Sequence, residues 1–534
     1  MSVTPQRSIH KGWALALLTS VQFMLILDTS IVTVALPAIH TRFDVGSEST
    51  LSWVINGYLL TFGGLLLLGG RLGDRLGRRN LFFIGTIVFG LASLASGLAS
   101  SFGLLVGARF AQGAGAALVA PAALGLLTVI FEEGSERNKA LGVWGAVSGS
   151  GGAAGLILGG ILTTELDWRW VFFVNLPIVA AALVATPRLL PKTSGEQSSG
   201  SFDIPGATAA VVGISSLVYG FVEAGNKSWS SPNSYAYLVA GTVLLAVFLG
   251  IERRSANPLV RLSMFRSRSI SGANLAMLAF TMASLGVWFY LALYLQEVHG
   301  YSALKAGVAS LPLNIAVATS ATLSSKWISR FGPKPVSAVG AAAFAGGLFW
   351  FYFISATSTY AVSVLGPIIV MGLGMGMIFV GLTVGAVSGV VPQDAGLASG
   401  LFNTTTQMGS AVGLAILSTV STSQTSNALR QGVSSAVALT KGYRDAILLG
   451  FGIAAASLVI IMFVLSNREN RSFVEMVRSG GAQLEVTADA VAEDESIGAL
   501  GGPLFERGAS RAMSTSGDVS SLHHDSRHQS GDAA

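Results

Sequence analysis

A carboxylate and a guanidinium interrupt two of the longest apolar runs of this chain. Asp28 lies in Leu27-Asp28-Thr29-Ser30-Ile31-Val32-Thr33-Val34-Ala35-Leu36-Pro37, inside a run from about 13 to 37. Arg109 lies in Arg109-Phe110-Ala111-Gln112-Gly113-Ala114-Gly115, inside a run from about 103 to 129. Each run is long enough to cross a bilayer as a helix, since about 20 residues span its core. An acid at that depth costs on the order of 3 kcal/mol unless it is neutralised, paired or wetted. Two readings of Asp28 remain: a group that handles a proton or ion, which is favoured, and a structural acid hydrogen-bonded between helices. Arg109 has two readings of equal weight: it neutralises Asp28 or caps a carbonyl, or it takes part in proton coupling. A guanidinium nearby lowers a carboxyl pKa and desolvation raises it. Any movement that exchanged these surroundings would load and release a proton.

These groups belong to elements that the composition already constrains. Of 534 residues, 51% are hydrophobic and only 11% charged, and the mean hydropathy is +0.63. Soluble domains carry about 25% charged residues, so the chain is expected to be a polytopic, all-α membrane protein. The formal charge of +5 lies in loops beside the runs and does not imply nucleic acid. Cysteine is absent, which excludes disulfides, thiolate nucleophiles and Cys-ligated metals. The first run is too long for a signal-peptide core and is expected to be retained.

About fourteen apolar runs follow one another, at roughly 13–37, 51–70, 81–100, 103–129, 140–163, 170–187, 204–224, 235–251, 270–295, 306–325, 336–354, 361–390, 397–420 and 445–466. An even number puts both termini on one side. Arg71, Arg75, Arg78 and Arg79, then Arg253, Arg254, Arg261, Arg266 and Arg268, crowd one set of loops, so that side is expected to be cytoplasmic. On this topology Asp28 sits ~22 Å from the cytoplasmic end of its span and Arg109 ~9 Å from the outer end of its own. Both then fall in the outer half of the membrane, deep enough to share one cavity. The tail beyond about 467 is Ser-, Gly- and acid-rich and reads as disordered. Its His523, His524 and His528 are expected to be solvated, so no metal is assigned.

The chain is duplicated. Gly73-Asp74-Arg75-Leu76-Gly77-Arg78-Arg79 lines up with Ile328-Ser329-Arg330-Phe331-Gly332-Pro333-Lys334, and Ala140-Leu141-Gly142 resembles Gly396-Leu397-Ala398-Ser399-Gly400. The expected organisation is a six-helix half over 1–187, a linker with two extra spans over 188–269, a second six-helix half over 270–466 and the tail over 467–534. Parallel halves around a midplane cavity are the plan of many secondary transporters.

Other positions have a bland and a sharp reading each. Gly73 and Gly77, with Asp74, Arg75 and Arg78, form a positive-inside anchor or a charge latch that differs between two states. Gly151, Gly155 and Gly159 stack on one helix face, a packing surface by default and a sliding surface if the halves rock. Phe280, Trp288, Phe289, Tyr290, Tyr294 and Trp144 are packing or interface aromatics, some of which would line an apolar pocket. Glu297 and His299 could relay protons, although a wetted loop end is the favoured reading. Gly149-Ser150-Gly151-Gly152 is no dinucleotide loop, and Gly220 to Ser228 misses a P-loop by one residue. No nucleotide-driven motor is read here.

At these residues the chain resembles the major facilitator superfamily, in particular its fourteen-span drug:proton antiporters of the EmrB/QacA type, over roughly 13–466. Gly70-Arg71-Leu72-Gly73-Asp74-Arg75-Leu76-Gly77-Arg78-Arg79 resembles the superfamily's loop signature. Leu27 to Pro37 resembles the first-helix motif of the fourteen-span group. Arg109 to Gly113 is similar to the fourth-helix motif, whose arginine is assigned to proton transfer, and Trp168-Arg169-Trp170-Val171-Phe172-Phe173-Val174-Asn175-Leu176-Pro177 to the sixth-helix opening of this branch. The antiporter motif of helix five normally reads Gly-Pro, and here Gly155 precedes Leu156; the glycines, including Gly159-Gly160, remain. The resemblance implies two six-helix bundles plus two central spans and alternating access, with a proton entering as drug leaves. It also implies Asp28 and Arg109 as coupling residues and Asp74, Arg75 and Arg78 as a conformational latch.

The expected function is proton-coupled efflux of hydrophobic or cationic small molecules, with Gln112, Trp144, Trp288 and Tyr290 as substrate-pocket candidates. The proton is the coupling ion, no cofactor is needed, and the partners are substrate, protons and lipid, the protein acting as a monomer in the cell membrane. Alternatives are a narrow-range metabolite transporter of the same fold, or a membrane enzyme or sensor that has lost transport. An enzyme would need a clustered catalytic set, and His10, His40 and His299 all read as lying outside the spans.

Overall fold

The computed structural model describes residues 10–466, apart from 132–134, 193–202, 228, 230, 256–257 and 388–394. The tail and its histidines lie outside the described residues. Apolar runs with no water to satisfy their amides close their own hydrogen bonds as helices, and every long element here is one. In chain order these are α1 (Lys11–Phe43), α2 (Trp53–Leu76), α3 (Arg78–Gly97), α4 (Phe102–Ile130), α5 (Ser135–Glu165), α6 (Asn175–Leu189), α7 (Ile204–Asn226) and α8 (Pro232–Arg254). They continue with α9 (Arg268–Leu293), α10 (Ala303–Phe331), α11 (Pro333–Phe351), α12 (Leu365–Val387), α13 (Ala395–Arg430) and α14 (Ser435–Phe463). Among the described residues, 12 helical segments are long and apolar enough to cross a membrane. Pro333–Phe351 and Ala395–Arg430, with 19 and 36 residues, lie outside that set; their glycines and hydroxyls dilute them, but they are long enough to span.

The fold is two six-helix bundles with a central hairpin between them in the chain. Helix pairing repeats from one bundle to the other. In the first, α4 packs against α2 and α3 and α1 against α5; in the second, α12 packs against α10 and α11 and α9 against α13. Across the bundles α5 meets α10 and α13 meets α2, an exchange that a two-fold relation requires. The α7–α8 hairpin is held by α7, which lies on α2 and α13, whereas α8 packs chiefly on α7.

The repeat extends to one backbone angle. Gly77, between α2 and α3, has φ +82°, and Gly332, between α10 and α11, has φ +85°. Each turn is a single residue long, and only a residue without Cβ adopts that conformation freely. Two boundaries differ from the sequence reading. Pro37 lies inside α1, which runs on to Phe43, so His40 is a helical residue rather than a loop residue. Likewise α9 continues as a π-helical turn over Tyr294–Val298, which carries Glu297 on the helix and off the loop.

The face at which α1 begins is called proximal below, and the face at which it ends distal.

Candidate functional site

Asp28 and Arg109 meet inside the first bundle. Arg109 Nη1 lies 2.6 Å from Asp28 Oδ2, and the two side chains are 1% and 0% exposed. The approach depends on Gly113, one helical turn beyond Arg109. A Cβ there would lie 2.2 Å from the Tyr58 carbonyl oxygen, so α2 and α4 reach this separation only because the side chain is missing. Thr61 Oγ1 closes the same contact by donating to the Phe110 carbonyl at 2.7 Å. With α2 this near, Arg109 Nε donates to the Val54 carbonyl at 2.9 Å and the guanidinium lies 4.6 Å from the Tyr58 ring centroid.

The other carboxylate oxygen is also bonded. Oδ1 accepts from Gln112 Nε2 at 2.7 Å and from Asn175 Nδ2 at 2.9 Å. Arg109 Nη1 also donates to Gln112 Oε1 at 2.7 Å, and Gln112 and Asn175 both contact Ser93 Oγ, at 3.4 and 3.1 Å. Ser93 Oγ itself donates to the Phe172 carbonyl at 2.9 Å. Five helices thus converge on one acid. Buried ions cost several kcal/mol each unless geometry and further hydrogen bonds repay the loss of water, and here Arg109, Gln112 and Asn175 all donate to the carboxylate. Three of the roughly four acceptor positions of the carboxylate are thus occupied, by donors from α4 and α6.

The other candidates are placed as follows. Gln112 belongs to the Asp28 network. Trp144 is buried on α5, Trp288 packs beside Val34, Leu156 and Ala303, and Tyr290 lies 5.4 Å from the Tyr443 ring. Gly151, Gly155 and Gly159 seat α5 on α1, against Ile26, Ser30 and Ile31. Gly160 instead faces Leu304 of α10, and there the bundles touch. At the proximal turn, Arg78 Nη1 donates to the Gly125 carbonyl at 2.7 Å and ties α3 to α4. Gly73 and Gly77 are buried in that turn and Arg75 is exposed on it, while the Asp74 side chain lies outside what is described.

Sequence reasoning gave no role to Asn175, Ser93 or Tyr58. Asn175 had one signal, an amide inside an apolar run just before Leu176-Pro177. Glu297 is also misplaced by it. The carboxylate is not a wetted loop end: its side chain is 16% exposed and bonds to His40 and Tyr443.

Comparisons with known proteins agree with this architecture. The Major Facilitator Superfamily profile matches residues 18–414. The puromycin resistance protein pur8 of Streptomyces alboniger is 37% identical over 467 residues, covering 86% of this chain and 92% of the relative. The cephamycin export protein CmcT of Amycolatopsis lactamdurans is 39% identical over 456 residues, covering 84% and 90%. Among solved structures, a bacterial homolog of the human lysosomal transporter Spinster superposes with a TM-score of 0.64 at 14% identity, over 88% of this chain and 99% of that one. With two pseudo-equivalent six-helix bundles and a family match across most of the chain, this multi-pass membrane protein belongs to the Major Facilitator Superfamily.

Proposed function

We propose that this transporter expels small hydrophobic or cationic molecules from the cell in exchange for protons. The observation that carries the reading is the buried Asp28–Arg109 pair, a carboxyl enclosed with its counter-charge where gain of a proton removes the pairing charge. Efflux is supported by relatives described as export and resistance proteins, for cephamycin and puromycin. The substrates are thus taken to be drugs, antibiotics or secondary metabolites. Both termini lie in the cytoplasm, so the distal face opens to the outside, and the chain crosses the cell membrane fourteen times.

In this cycle Asp28 accepts a proton from the outer side and releases Arg109, Gln112 and Asn175. When the site faces the cytoplasm the proton leaves and the pair re-forms. Substrate takes the opposite path as the bundles rock, with Gly73, Gly77, Asp74, Arg75 and Arg78 as the proximal latch. The monomer needs only substrate, protons and lipid, and no cofactor.

Vesicles containing the full chain, with an imposed pH gradient and a panel of dyes and antibiotics, test this. Gradient-driven flux is expected in the parent and lost in Asp28→Asn. Equal flux in the two proteins refutes the coupling assignment, and a parent that moves one nutrient only favours the narrow-range transporter.

A further inference from the structure

A second ionisable cluster lies at the distal face, and unlike the first it joins the two bundles. His40, in the last turns of α1, places Nε2 2.8 Å from the Val45 carbonyl and Nδ1 3.2 Å from Glu297 Oε1. Glu297 Oε2 accepts from the Tyr443 hydroxyl of α14 at 2.9 Å. Glu48 opens a short helix, Glu48–Leu51, whose N-cap is Ser47, and its Oε2 accepts from Ser421 of α13 at 2.5 Å. Gln296 adds a third crossing by donating to the Val34 carbonyl.

The contacts of His40 fix a proton count. A carbonyl only accepts, so Nε2 must carry hydrogen. Nδ1 faces a carboxyl oxygen. Either Nδ1 is also protonated, giving an imidazolium on a carboxylate, or Glu297 is the acid and donates to Nδ1. Both descriptions hold one proton more than a neutral histidine beside an ionised glutamate. Without it, two lone pairs face each other at 3.2 Å across the contact between the bundles, an arrangement that is repulsive rather than bonding.

The surrounding charges do not supply this positive charge by other means. Glu48 is a second carboxyl at this face, held by Ser421, and Tyr443 and Tyr290 are phenols in the same packing. Elsewhere on the neighbouring elements, Arg444 lies over the Tyr352 ring, Lys305 over Tyr301 and Arg42 over Phe43. Arg169 pairs with Asp167 and Lys227 with Glu223.

We propose that the seat between His40 and Glu297 is a second proton-binding site, filled from outside, whose occupancy is required to close the distal face. This rests on the transport reading above and adds a rule to it: after substrate leaves, the outer face closes only on a protein that has met an external proton. Asp28 couples the proton to the first bundle, whereas this seat couples it to the contact between bundles.

Because the chain has no cysteine, spin labels at Thr41→Cys and Lys441→Cys, both exposed positions, report this face alone. Their distance distribution is measured in the full chain in lipid nanodiscs at pH 5 and pH 9. The parent is expected to populate the short distance at pH 5 and to shift toward a longer one at pH 9. Glu297→Gln supplies an amide N–H to Nδ1 of a neutral imidazole and should stay short at both pH values. His40→Gln should likewise give superimposable distributions, and it serves if the first variant fails to fold. An unchanged parent, or either variant keeping the parent's shift, overturns the proposal. So does loss of the shift in Asp28→Asn, since closure would then answer to the first site. Failure of the transport reading registers separately, as absence of gradient-driven flux in a parent whose distal face still responds to pH.

Discussion

Gly155 of α5 and Ser30 of α1 are in direct contact: a Cβ on the glycine would sit 1.9 Å from the serine Oγ. The neighbouring obstacle is the Leu27 carbonyl, at 3.0 Å, which cannot rotate away. Gly155→Ala is therefore expected to push α5 off the helix that carries Asp28, at about 1–3 kcal/mol. Thermal unfolding in detergent checks the loss, and an unchanged midpoint would show that Ser30 yields without cost.

Arg109 and Asp28 should respond asymmetrically to truncation. Arg109→Ala leaves a carboxylate at 0% exposure without its counter-charge, a change that costs about 3–5 kcal/mol. Asp28→Asn also leaves a buried charge unpaired, but the Arg109 guanidinium keeps the Val54 carbonyl, Gln112 Oε1 and the Tyr58 ring, so this variant should lose less stability and remain folded while losing proton-driven flux. Equal stability of the two variants in the same detergent would contradict the packing described.

Asn175 supplies one of two amide donors to Asp28 Oδ1. Asn175→Ala removes a hydrogen bond to a charged acceptor, worth about 1.5–3 kcal/mol. It should shift the pH dependence of transport as well as stability, whereas a purely structural amide would move stability alone.

Gly77 and Gly332 invite a paired experiment. Both combine a positive φ with an extended ψ, a region that side-chain-bearing residues scarcely enter, so alanine at either is expected to cost about 1–3 kcal/mol. Similar losses in the two single variants, read by unfolding, test the equivalence of the turns.

His299 follows α9 outside the spanning segments, and burial pushes its imidazole pKa down from the ordinary value of 6.5. The folded protein thus binds this proton more weakly than the unfolded chain. Its contribution is fully present above pH 6.5 and is lost as pH falls through the lower folded value. His299→Gln should show a smaller drop in thermal midpoint between pH 7 and pH 5 than the parent.

Much of this organisation could be read from residues alone, for reasons that differ by element. Asp28 and Arg109 stood out because a charge in an apolar run has few innocent explanations, and counting residues from the span ends put both at one depth. Their contact needed the coordinates, since Gly113 sets it through the distance between two backbones. Ser93 and Tyr58 carry no comparable signal, being one hydroxyl and one phenol among many, and the Val54 carbonyl has no side-chain signature at all. His40 and Glu297 were misplaced for a common cause. Pro37 and the end of the apolar run looked like helix ends, yet α1 continues past the proline and α9 past Leu293. A proline removes one donor, which a packed membrane helix tolerates.

The position of α7 carries a last consequence. Val211 covers Gly64 of α2 and Phe221 accepts from Thr419 of α13, so α7 lies along the α2–α13 seam for its whole length. Among the described residues no added helix lies on the α5–α10 seam in the same way. The two flanks are therefore sealed differently: one by α7 as a third layer, the other by backbones brought together at Gly160 and Gly307, where any side chain would wedge α5 and α10 apart.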